Sequence, residues 1–186
     1  MEKWQNSSFQ TSTSSNMDRH KIDWNDHDAL QEAFDKVRSP LATADNPGEP
    51  GDFDGAEGLE CPDVTKWFLA NFTTLKPVFG NGEEQVDNLA SENGLEKSTV
   101  PCAPAVYSVA GGSAGPGTSG RNDGGCGHTG IILSCKLTNE GKYKLTYFHT
   151  YSGLLDDGKT SVITTKDFFP EDLKNTTFLD LGYFMI

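Results

Sequence analysis

Apolar residues are sparse over the first fifty positions and dense from about Val64 onward, and their period changes part-way along the chain. Residues 1–22 are rich in Ser, Thr, Asn and Gln without sustained periodicity, the composition of a flexible arm. Leu30, Phe34 and Val37 then fall at i, i+4 and i+7, which predicts a helix over 26–38 with Asp26 as its N-cap. Pro40, Pro47, Gly48, Pro50 and Gly51 mark 39–51 as linker or loop. A second helix is expected to begin at Cys61, with Pro62 suited to its first position and Val64, Trp67, Phe68, Phe72 and Leu75 forming a buried face. Pro77 ends it. A third covers 83–92, with Val86, Leu89 and Ala90 inward and Gly94 as its stop.

After residue 100 the pattern shortens to that of strands. Residues 105–109 are apolar, and 111–127 form a long glycine-rich loop of the kind that often carries function. Residues 131–137 and 142–151 read as two strands joined by a turn at Thr138, Asn139, Glu140 and Gly141. A short strand is expected at 161–164 and a closing one at 178–186. Helices first and then an antiparallel meander is an α+β order, not a repeating βαβ order. The division expected is an N-terminal arm, short helix and linker over 1–50, and one domain over 51–186.

Charge and composition narrow the partners. The net charge of −12 argues against a nucleic-acid-binding surface and against electrostatic docking on an acidic membrane. It suits calcium, a cationic ligand or simple solubility. No run approaches the roughly 18–20 apolar residues that span a bilayer, and no secretory signal is visible at the N-terminus. The protein is expected either to leave its cell by another route, to stay inside, or to be a domain excised from a longer chain whose signal lies elsewhere; the first fifty residues are a leader, a linker or a contact arm. Of the four cysteines, Cys61, Cys102, Cys126 and Cys135, no two have C-x-x-C spacing, so a zinc site is not expected. A disulfide among Cys102, Cys126 and Cys135 is possible but not required.

Two stretches carry candidate chemistry. The segment DFDGAEGLECPD at 52–63 holds three aspartates, two glutamates, two glycines and a cysteine. Counting from Asp52, positions 1, 3, 5, 7 and 12 are Asp52, Asp54, Ala56, Gly58 and Asp63, a ligand spacing suited to calcium with carbonyls at Ala56 and Gly58. The spacing is EF-hand-like, but glycine stands at position 4 and Asp at position 12. A solvated acidic loop before a helix, with Asp63 favoured by the helix dipole, is the plainer alternative. A cysteine at a helix N-cap is expected to have its pKa lowered, and a nearby histidine accepts its proton. His128, where the glycine-rich loop meets a strand, is the candidate base. The plainer alternatives are a buried core cysteine and a surface-loop histidine.

From Asp52 to Ile186 the chain resembles the CHAP domain, the cysteine, histidine-dependent amidohydrolase/peptidase of bacterial and phage cell-wall lysins. The likeness rests on D-x-D-G-(x)5-E-C-x-D before a helix, on Gly80-Asn81-Gly82, on Val100-Pro101 with Ala105-Val106-Tyr107, and on Gly127-His128-Thr129-Gly130-Ile131-Ile132. It is shared in part by the NlpC/P60 relatives, and the calcium spacing favours CHAP. The resemblance implies a papain-like fold, calcium held by Asp52, Asp54, Ala56, Gly58 and Asp63, Cys61 as nucleophile, His128 as base and peptidoglycan as substrate. It also implies a place outside the cell or at the cell wall, secreted or delivered by a phage. The bond cut would be the muramoyl–alanine amide or a stem or cross-bridge peptide bond.

The chain departs from that pattern in three places. The E-Q-N that follows the histidine strand is replaced by Phe148-His149-Thr150, which leaves His149 or Thr150 as third partner, or none. Glu60 stands where a Gln would donate to an oxyanion, and its charge should raise the Cys61 pKa. The loop at 111–127 is longer than usual. A degenerate, non-catalytic module that binds wall peptide or a protein partner is the second functional expectation.

Overall fold

A computed structural model describes residues 22–39, 50–55, 60–121, 124–150 and 160–186. Three helices precede five strands: α1 (His27–Asp35), α2 (Cys61–Phe72), α3 (Gln85–Asn93), β1 (Ala105–Val109), β2 (His128–Leu137), β3 (Tyr143–Thr150), β4 (Ser161–Phe168) and β5 (Thr176–Asp180). The strands form one antiparallel sheet in the order β4-β3-β2-β1-β5. The architecture is α+β. The meander holds from β1 to β4, and β5 then returns to the far side of β1.

The sheet has two apolar faces. On one, Val106, Ile131, Leu133, Phe148 and Leu179 pack against Leu30, Phe34, Val64, Trp67, Phe68, Val86 and Leu89 from the helices. On the other, Ala105, Tyr107, Val109, Ile132, Leu145, Tyr147, Phe168 and Phe178 form a second cluster closed by Leu173. With both faces of the sheet covered, β1 and the first six residues of β2 are buried without a break.

α1, grouped by sequence with the N-terminal arm, belongs to the first cluster. Phe34 makes edge-to-face contacts with Trp67 and Phe148, at 5.4 and 5.7 Å between ring centroids. Asp35 Oδ1 accepts from the Thr160 N–H and hydroxyl, and Gln31 Nε2 donates to Ser161 O, so α1 is fixed to the start of β4.

Several boundaries differ from the periodicity. β2 begins at His128, because Val109 pairs with His128 as soon as the positive-φ turn at Gly127 ends. β4 runs to Phe168, pairing with every residue of β3. β5 is Thr176–Asp180, earlier than the 178–186 expected: Asp180 Oδ1 accepts the Gly182 N–H and turns the chain, and Ile186 N–H then bonds Phe72 O on α2. No helix among the described residues is long and apolar enough to cross a membrane.

Candidate active site

α2 starts at Cys61, as its pattern predicts, but the N-cap is Glu60; Cys61 is the first helical residue and Pro62 the second. The helix is held to the sheet one turn further on. Thr65 Oγ1 lies 3.3 Å from Thr129 Oγ1, and the Thr129 hydroxyl donates to Tyr107 O at 2.6 Å. This bond sets the first turn of α2 over the start of β2. The Cys61 sulfur therefore meets the backbone of His128 and Thr129, and the Thr129 N–H points at it.

Gly82 makes the approach possible. A Cβ there would stand 2.8 Å from His128 Cα and 2.9 Å from Cys61 Sγ, so sulfur and strand face each other across a missing methyl group. The Gly82 turn is held in turn by Ser108, whose hydroxyl donates to Gly82 O at 2.8 Å and accepts the Val86 N–H at 3.1 Å. Glu83 completes the frame: its carboxylate accepts the Gly111 N–H and its own N–H donates to Cys126 O, binding both ends of the glycine-rich loop.

Alternation along β3 decides the third partner. Phe148 points to the helix face, against Phe34 and Trp67. His149 takes the opposite face with Tyr147, and His128, opposite in sense to Thr129, takes that face too. His128 Nε2 and His149 Nδ1 are 3.1 Å apart, with the rings nearly perpendicular. Thr150 is turned away and its hydroxyl donates to Thr160 O. Of the two sequence candidates, then, the structure brings His149 to His128. Gly153 lies outside the described residues. The glycine-rich loop covers the pair: at Gly117, φ +77°, a Cβ would sit 2.6 Å from His128 Nε2 and 2.8 Å from His149 Nδ1.

The electrostatics differ from those of a helix-activated thiol. Burial, with the Glu60 and Asp63 charges adding to it, pushes the Cys61 thiol up to about 12. The Thr129 N–H opposes this without overcoming it. The helix-terminal effect, typically under 1 kcal/mol, is smaller than the desolvation of a thiolate. Burial, and then the His128 charge, pull His149 down to about 3, so His149 is neutral at physiological pH.

Of the five expected calcium ligands, Asp52, Asp54 and Asp63 converge, each offering an oxygen within 4.8 Å of the others. Ala56 and Gly58 lie outside the described residues. Asp63 Oδ1 accepts the Phe53 N–H and Oδ2 the Glu60 N–H, tying the loop to the helix start. Burial, together with the Asp54 charge, still pushes its carboxyl up to about 7. Lys66 Nζ lies 2.5 Å from Asp54 Oδ2, and its ammonium stands 5.6 Å over the exposed Phe79 ring. The donor set is hard and anionic, which fits calcium, and a metal here would compete with Lys66 for Asp54.

Gly82, Gly117, Thr129, Thr65 and Ser108 shape the site, and none was singled out from sequence for these contacts. Gly82 carried a signal only within the Gly80-Asn81-Gly82 likeness, and Gly117 only through the length of its loop. Compared with protein-family models, curated proteins and solved structures, the chain matches none.

Proposed function

We propose that the protein is a peptidoglycan hydrolase of CHAP type with a papain-like fold, cutting a wall amide bond with Cys61 as nucleophile. The observation that supports it best is the convergence of three segments on one point: the first turn of α2 with Cys61, the Gly82 turn, and the start of β2 with His128 held by His149 at 3.1 Å.

His149 engages Nε2 of His128 at 3.1 Å, so we assign the Cys61 proton to Nδ1, one bond nearer the backbone than Nε2, the sulfur standing beside the His128 backbone across Gly82. The pair works with a proton on His128 Nε2 donated to His149 Nδ1, the tautomer that leaves Nδ1 as a base. With the thiol raised to about 12, no resting ion pair forms. His128 takes the thiol proton as sulfur attacks the amide carbonyl, and returns it to the leaving amine; water then cleaves the thioester with His128 again as base. Neutral His149 orients the ring and accepts the imidazolium hydrogen bond, a weaker support than a carboxylate gives. Asp52, Asp54 and Asp63 are the residues that would hold calcium, and a cation there would supply positive charge beside the helix start, against the anionic field of Glu60 and Asp63 on the thiol.

The experiment is release of new amine ends from purified walls of several chemotypes. Wild type should release them in a calcium-dependent way, Cys61→Ala should release none, and His128→Ala should fall by at least a hundredfold. Melting temperature should rise with millimolar calcium and fall with chelator. Wild type inactive on every wall type sinks the enzyme. A second reading, a wall-peptide-binding module without catalysis, is favoured by the raised thiol beside Glu60. It predicts pull-down on walls that Cys61→Ala leaves intact.

A further inference from the structure

Four thiols are free in the structure. Cys61 and Cys126 lie at the His128 end of the β1–β2 ladder: Cys61 against His128 itself, and Cys126 with its carbonyl on Glu83 N–H. Cys102 and Cys135 lie at the other end. The ladder's last pair there is Ala105 with Ile132, and three residues further on each chain are Cys102 and Cys135. Independently of that count, the Cys135 thiol donates to Pro101 O at 3.6 Å, next to the Cys102 backbone. Both side chains are half-buried and pack on the same apolar cluster beside Ala103 and Tyr143.

We propose that Cys102 and Cys135 form a disulfide-bonding pair, oxidised by a small-molecule disulfide, that clamps the end of the β1–β2 ladder remote from the candidate active site. The thiolate of one cysteine attacks the oxidant's disulfide and expels one small thiolate. The second cysteine then attacks the mixed disulfide and expels the other. One S–S bond forms in the protein, one is broken in the oxidant, and two protons end on two small thiols. Cys126 is not a competing partner, because the five residues of β1 hold it on the order of 15 Å away along the strands, beyond disulfide reach. The loop closed by the bond contains β1, the glycine-rich loop and His128, so the clamp limits the freedom of the segment that carries the base.

The site sits in an oxidisable position whether or not the chain is a hydrolase, and its test does not use activity. Folded full-length protein is incubated with oxidised glutathione at mildly alkaline pH, alkylated, digested without reduction and analysed by mass spectrometry. The expected product is a Cys102–Cys135 cross-linked peptide two hydrogens lighter than its parts, with Cys126 recovered alkylated or glutathionylated. The melting temperature should rise by several degrees and return on reduction. Cys102→Ser and Cys135→Ser should each lose the cross-link and the shift. The proposal is overturned if both cysteines stay glutathionylated or alkylatable after oxidation, or if either is found linked to Cys61, Cys126 or a second chain.

Discussion

At the scale of single residues, the site is governed by what stands beside the sulfur. Glu60 and Asp63 add negative charge to a thiol already raised by burial. Replacing Glu60 with Gln removes one charge without shortening the side chain. Iodoacetamide titration of Cys61 in Glu60→Gln should give a midpoint below that of wild type, and an unchanged midpoint shows that the Glu60 charge does not reach the sulfur. Gly82 is the steric counterpart. Gly82→Ala forces a methyl into the gap between Cys61 Sγ and His128 Cα, so it should cost about 1–3 kcal/mol of stability and more than tenfold in any Cys61-dependent activity. Unfolding free energy measured beside activity separates the two effects. Cys61 was legible from its place between an acidic loop and an amphipathic helix, and His128 from the loop-to-strand junction. Gly82 was not, because the need for a bare Cα arises from two segments that are distant in sequence. Nor could alternation alone choose between Phe148 and His149: one slip in register exchanges the two faces.

Elements meet here through a few hydroxyl groups. Ser108 on β1 joins the Gly82 turn to α3, accepting from one backbone N–H and donating to one carbonyl. Ser108→Ala leaves the buried Val86 N–H without that acceptor, a loss of about 1–3 kcal/mol. Ser108→Thr, which keeps the hydroxyl, should recover part of it in denaturant unfolding; equal losses in both variants point to packing instead. The elements themselves were mostly readable: α2, α3, β1 and the turn after β2 lie close to where period and punctuation put them. The misplaced element is β5. Its aromatic continuation at Tyr183 and Phe184 looks like strand, but Asp180 and Gly182 turn the chain before it, and that bond is a matter of local geometry rather than hydropathy.

For the whole molecule, the buried neutral His149 links the fold to pH. Its folded pKa, about 3, lies below the ordinary value of 6.5. Between those values the unfolded chain binds a proton that the folded chain refuses, so stability is lost as pH falls from about 6.5 towards 3 and changes no further below that on account of this group. Melting temperature should decline across this window, and His149→Asn should show the shallower decline; parallel curves would mean that other groups carry the acid sensitivity. The return of β5 to β1 has a consequence of another kind, in time. During synthesis the helix bearing Cys61 and the strand bearing His128 both leave the ribosome before residues 176–180. Until β5 arrives, β1 is a bare apolar edge, and such edges bind whatever backbone is near. A nascent chain thus holds the thiol and the imidazole without a settled frame to join them. A holdase with an affinity for unpaired strands would find its target in β1.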